Sequence, residues 1–265
     1  MRSTFTVILL FIGLNARGQC EPQLETFKIG EELQYDVYYN WGIIWLHAGE
    51  VFFKVQKSEY NEQPAFHFLS VGRSFQSYDW IYKVRDTFQT YVDRQKFRPL
   101  YFSRNTYEGG YEVNNEYQFN YETDKIISNT YNSKSGKNKD FIQLRPCTFD
   151  VLSIIYYART LKFDNYQPNE KIPIIVIIDG EIHDLYIRYL GHEKIKSKDG
   201  KKYNCIKFSP LLVEGTIFSG GEEMTVWVTD DANRVPILVE AKILVGSIKT
   251  YLRDTKNLID PPLNN

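Results

Sequence analysis

The sequence predicts a mostly β fold: a large curved antiparallel sheet, or an open β-barrel, with one main helix packed on its concave face. Three observations carry this expectation. Apolar and polar residues alternate with period two in run after run from residue 32 onward. Dipeptides of the kind that supply the positive φ angles of tight hairpin turns separate the runs. Tyr and Phe number 20 and 17 against 2 Met, and both suit a pleated, half-buried surface.

The first segment stands outside this fold. Arg2, an apolar run at 5–14, and small residues Ala16 and Gly18 read as a secretory signal over residues 1–18, cut before Gln19. The run is shorter than the roughly 20 residues that span a bilayer. The expected product is residues 19–265, a single β-rich domain, with a second reading of two halves meeting near 133–146. Its expected address is the periplasm or outer envelope. Soluble export fits better than lipid anchoring at Cys20, because Arg17 and Gln19 are bulky neighbours for an acylated cysteine.

Within the body, Val51, Phe53 and Val55 alternate with Glu50, Lys54 and Gln56, and similar runs fall at 65–71, 86–92 and 98–107. The clearest run is 111–122, where Tyr111, Val113, Tyr117, Phe119 and Tyr121 share one face and Glu112, Glu116 and Gln118 share the other. Gly109-Gly110 precedes it as a turn, and a further strand is expected at 125–132. The polar stretch 133–140 reads as a loop. Pro146, Thr148 as cap and Asp150 in the first turn predict a helix over about 148–162, apolar nearly all round and therefore buried. Strands are expected again at 171–178, 182–190, 202–208, 224–229 and 235–241. Asp179-Gly180, Asp199-Gly200 and the acidic turn at 230–233 divide them, and Pro236 sits at a strand start. The residues from Asp260 onward read as a frayed tail.

Chemistry-bearing residues are sparse. Lys plus Arg total 32 and Asp plus Glu 33, so no global field attracts nucleic acid. The four histidines are scattered and no C-x-x-C pair exists, which argues against zinc; no metal or cofactor is expected. Cys147 and Cys205 are the natural disulfide pair of the folded body in an oxidising compartment. Ser153 has no neighbouring His and no G-x-S-x-G elbow. Asp150 beside it reads as helix N-terminal electrostatics. Glu222-Glu223 and Asp230-Asp231 form the densest acidic region and read as solvated turns. Two features suit ligand binding. Trp41 and Trp45 flank a Gly-containing apolar segment that could face a ligand or touch a membrane. Arg159 is a charge on an apolar helix. It needs a carboxylate such as Asp36 or Glu50, a route to the rim, or an anionic ligand.

Several segments resemble one family. They are Gly30-Glu31-Glu32-Leu33-Gln34-Tyr35-Asp36-Val37 with Ala48-Gly49-Glu50, then Phe149-Asp150-Val151-Leu152-Ser153 with Arg159, then residues 226–236 with Glu240 and residues 245–248. In order and spacing they are similar to the exported bacterial family of domain of unknown function 3108, especially members of Bacteroidetes type, over roughly residues 29–252. The resemblance implies export and a β-rich fold and carries over no catalytic residue. The expected role is a non-catalytic envelope protein that holds an apolar or amphipathic ligand, a lipid or lipidated segment, in a groove. A second reading is a structural or assembly protein docking on an envelope partner through sheet edges or exposed aromatics, with peripheral membrane contact. A third is a cell-wall or glycan hydrolase. Oligomeric state is not legible.

Overall fold

The computed structural model describes residues 22, 25–41, 44–198, 200–214, 219–244 and 246–260. The expected signal peptide and Cys20 lie outside them. The first half is a meander: β1 (Glu32–Trp41), β2 (Ile44–Tyr60), β3 (Gln63–Ser74), the one-turn helix α1 (Asp79–Tyr82), β4 (Val84–Asp93), β5 (Pro99–Glu108), β6 (Tyr111–Asn120), β7 (Lys125–Asn132) and β8 (Gly136–Gln143). Then come β9 (Thr148–Phe149), α2 (Ser153–Thr160), β10 (Lys171–Ile178), β11 (Glu181–Lys196), β12 (Lys202–Pro210), β13 (Leu212–Glu214), β14 (Ser219–Gly221), β15 (Met224–Thr229), β16 (Pro236–Lys242) and β17 (Ser247–Lys256).

Fifteen of these strands form one sheet in the order β8-β7-β6-β5-β4-β3-β2-β1-β17-β16-β15-β12-β11-β10-β9. Every pairing is antiparallel except the short β9–β10 contact. The two chain halves join where β1 pairs with β17, so residues 133–146 are no hinge between separate sheets. The sheet curls until its far side returns to its beginning. Asp179, in the β10–β11 turn, accepts hydrogen bonds from Arg104 and Asn115, and the Gly180 N–H donates to the Tyr117 hydroxyl. Arg145, just past β8, holds Asp184 of β11 through two bonds of 2.8 and 2.7 Å. Closure therefore rests on a turn and side chains rather than on strand pairing, which makes an open, barrel-like curl.

The concave face is filled. Leu152, Tyr156, Tyr157 and Leu161 of the α2 region and Phe163 are buried against Phe68, Phe102, Tyr117, Ile177 and Ile206 of the sheet. Tyr156 stacks on Phe68 with ring centroids 3.8 Å apart, and Phe163 stacks on Phe208 at 5.3 Å. Many of the Phe residues are spent on this interior, whose rings add stacking to burial, while most Tyr residues lie outside it.

Four expectations need correction. The helix is shorter than 148–162. Thr148 and Phe149 are extended and pair with Ile175 and Val176, and the helix starts at Ser153. Asp150 does the capping: its Oδ1 accepts the N–H of Leu152 and of Ser153, both at 2.9 Å, while Thr90 donates to Oδ2. The polar stretch at 133–140 is only partly a loop, because residues from Gly136 onward form the edge strand β8. β17, not among the expected runs, lies at the centre of the sheet. Finally, Cys205 is free and buried while Cys147 is disulfide-bonded, so the expected bond between them is not formed.

Candidate functional site

Arg159 is wholly enclosed, and its partner is neither Asp36 nor Glu50. Its guanidinium meets the Glu31 carboxylate in a two-pronged pair at 2.6 and 2.9 Å, and donates to the carbonyls of Thr26 and Asn233 at 2.9 Å each. Both side chains are essentially unexposed. Nearby, Asn233 Nδ2 donates to the Asp260 carbonyl and Arg234 to the Leu161 carbonyl. The three stretches that carried the family resemblance therefore meet at one buried node, which ties the N-terminal approach, α2 and the β15–β16 turn together. The two terminal nitrogens of Arg159 are held by the Glu31 carboxylate and two carbonyls, with Nε buried and unpartnered, so Arg159 acts as a structural pin.

Asp36 and Glu50 sit on the outer face instead. Arg253 bridges them at 3.0 and 3.1 Å, and Arg73 donates to Glu50. The Glu50 carboxyl stays below its ordinary value: partial burial works to raise it, and the two guanidiniums outweigh that effect. The other acids singled out are also engaged. Glu222 is pulled down to about 2 by hydrogen bonds from Arg188 and Tyr186. Asp231 accepts from the Thr229 hydroxyl and from the backbone N–H groups of Asn233 and Arg234. Ser153 donates to Asp150 inside the helix cap.

Beyond the ion network, the outer face carries a groove of about 260 Å³ lined by Tyr38, Trp45, Lys196, Lys198, Lys249 and Tyr251. Strand pairing explains its floor. Lys249 lies opposite Tyr38, Tyr251 opposite Asp36, and His47 opposite Tyr38. The wall comes from the tip of the β11–β12 hairpin, which places Lys198 Nζ 3.2 Å from the Tyr38 ring centre. Lys249 lies 5.2 Å from the Trp45 ring and also pairs with Glu240. His47 stacks on Tyr38, and Tyr251 meets it edge-on. A small second core of Tyr203, Cys205, Trp227 and Leu238, with Ile195 and Tyr251 packed against it, lies beside the groove. Of the predicted pair, Trp45 lines this groove; Trp41 ends β1, and its side chain lies outside the described ones. Sequence reasoning missed Tyr38, Lys196, Lys198, Lys249 and Tyr251, which come from strands far apart in the chain.

Such a groove offers aromatic faces and ammonium groups, a chemistry for anionic or amphipathic ligands. Among the described residues, no group of three or more His, Cys, Asp or Glu is placed to hold a metal. No described helix is long and apolar enough to cross a membrane.

Fold and site together define a curled-sheet, barrel-like protein with a packed interior and a small open groove on its outside. The family described as "Protein of unknown function (DUF3108)" matches residues 34–253, and the chain belongs to it. No curated protein matches the sequence. Among solved structures, the fold is similar to a β-barrel-like protein of domain of unknown function DUF1849 from Brucella abortus. That likeness has a TM-score of 0.57 at 10% identity, over 89% of this chain and 100% of the other. At that identity the likeness concerns the fold alone.

Proposed function

We propose that this protein is a non-catalytic, exported protein of the cell envelope that binds an amphipathic ligand with an anionic head, such as a lipid. The observation that supports this reading is the outer groove, where Tyr38, Trp45 and Tyr251 give apolar faces and Lys196, Lys198 and Lys249 give positive charge. α2 and its neighbours fill the concave face, a filling that by itself suits a structural protein, so the binding reading rests on the outer groove alone. The alternative, docking on an envelope protein, draws support from β8, an exposed edge strand that shows Phe141 to solvent. Lys137 and Lys139 on the same strand discourage open-ended pairing.

The test is native mass spectrometry of protein purified from its own envelope, together with titration by short-chain phosphatidylglycerol kept below its micelle concentration. A co-purifying lipid and saturable binding are expected. Lys198→Ala combined with Tyr38→Ser should weaken binding about tenfold or more, as for loss of a charge and its aromatic partner. A protein that carries no lipid and does not bind the probe refutes the reading and leaves protein docking in its place.

A further inference from the structure

We infer that one end of the sheet is a membrane-docking rim that seats on an anionic bilayer surface. Register places three successive turns at this end. Trp41 pairs with Ile44, Ser74 with Gly49, and Lys242 with Ser247, which itself pairs with Asn40. The β1–β2 turn, the 75–83 connection and the β16–β17 turn are therefore neighbours along six adjacent strands. Five strand spacings of about 4.8 Å set them across roughly 24 Å.

Each of the three contributes large apolar side chains that the fold leaves uncovered. Trp80 is 82% exposed, Leu244 60% and Ile44 58%, with Trp45 and Ile81 beside them. Single exposed apolar residues are ordinary, but a cluster at one end marks an interaction surface.

The display is held in place by its surroundings. Asp79 takes hydrogen bonds from Ser74 and Arg85 at 2.6, 3.1 and 2.5 Å. Tyr82 packs over Gly109, where a Cβ would come within 2.2 Å of the ring. With α1 fixed on both sides, Trp80 is presented to solvent without the ordering penalty a loose loop would carry on binding.

Charge selects the occupant. Lys83, Lys196 and Lys198 have no carboxylate partner among the described salt bridges, and all three are exposed. Lys83 lies near the Tyr107 ring and Lys198 near Tyr38. Trp with aliphatic side chains, bordered by exposed ammonium groups, matches the interface of an anionic membrane, where Trp sits at headgroup level and each Lys adds attraction. This rim is independent of the groove reading at Trp80 and Leu244, which lie outside the groove.

The experiment is sedimentation of the purified protein with vesicles of phosphatidylcholine alone and of phosphatidylcholine with phosphatidylglycerol. Binding is expected to the mixed vesicles, to fall with added salt, and to drop about tenfold or more in Trp80→Ser with Leu244→Ser. Both positions are exposed, so the variant should fold, with circular dichroism as control. Tyr38→Ser alone, which removes a groove face and leaves all three lysines in place, should weaken binding of the soluble short-chain lipid yet keep vesicle binding, which separates failure here from failure of the groove. Equal vesicle binding by the rim variant overturns the inference. So does no binding by the unaltered protein, or rim-dependent self-association in sedimentation velocity in place of vesicle binding.

Discussion

At Gly49 a Cβ would lie 2.3 Å from the Arg73 carbonyl oxygen, so any larger residue there would push β2 away from β3. Its neighbours are equally committed: the Ala48 carbonyl accepts the Phe75 N–H, and Glu50 takes Arg73 and Arg253. Glu31 and Glu32 show how parity decides a residue's role. Adjacent residues on a strand face opposite ways. Glu31 accordingly meets Arg159 inside, while Glu32 meets Lys54 and Lys256 outside. The need of Arg159 for a carboxylate was legible in an apolar helix. Which carboxylate was not, because the choice depends on packing between segments more than a hundred residues apart in sequence. Alternation set Glu50 on the face opposite Val51 but did not exclude it as a partner, and Glu50 is in fact buried beneath Arg73 and Arg253. Arg159→Met should leave Glu31 buried and uncompensated, a loss of about 3–5 kcal/mol in urea unfolding. Adding Glu31→Leu should recover a good part of that loss, because the stranded charge is then gone as well. No recovery in the double variant would mean that the carbonyl contacts of Arg159, rather than the ion pair, carry the node.

Elements were legible where alternation was strong and turns were marked. The run at 111–122 is β6 and its turn, and Gly109-Gly110 and Asp179-Gly180 adopt the positive φ angles that their residues suggested. β8 was not legible, because an edge strand with both faces in water shows no apolar alternation. β17 was missed for a related reason. Its outer face carries Lys249, Tyr251 and Arg253 for the groove and the ion network, which blurs the period. The helix was legible as a buried apolar segment, but its start was not: Thr148 was diverted into pairing with β10 by tertiary contact. That assignment of the cap has a consequence. Asp150→Ala should strip the N–H groups of Leu152 and Ser153 of their acceptor, leaving Thr90 only its bond to the Tyr101 carbonyl, and lower stability by about 2 kcal/mol in guanidinium unfolding. Thr148→Ala, which loses only a hydroxyl bond to the Arg145 carbonyl, should cost about 1 kcal/mol. The reverse ranking would return the cap to Thr148.

At the scale of the whole molecule, the curl closes around an interior that is apolar beside α2 and polar near the Tyr82 and Gly109 end. Thr90 reaches Asp150 on the concave side, and Asp86, four residues back on the same strand, shares that face. Burial, and next the nearby negative charge of Glu108, push the Asp86 carboxyl up to about 7; Arg104 only partly offsets them. One oxygen of Asp86 and one of Glu108 are buried without a hydrogen-bond partner. A carboxyl raised in the folded state keeps a proton that the unfolded chain has already released. Folding then takes up protons between about pH 4 and 7, so stability is greatest below this window, falls as pH rises through it, and levels off above it. The size of the fall should be on the order of 2 kcal/mol once partial solvent access is allowed for. Asp86→Asn keeps the shape and removes the titration. It should flatten the fall between about pH 4 and 7 and raise the melting temperature at about pH 8, with a smaller gain at about pH 5 and little change below about pH 4. Melting curves of the two proteins across that range decide it: parallel profiles would show that Asp86 is ionised in the fold at neutral pH, and that the polar end of the curl is more open to water than its packing implies.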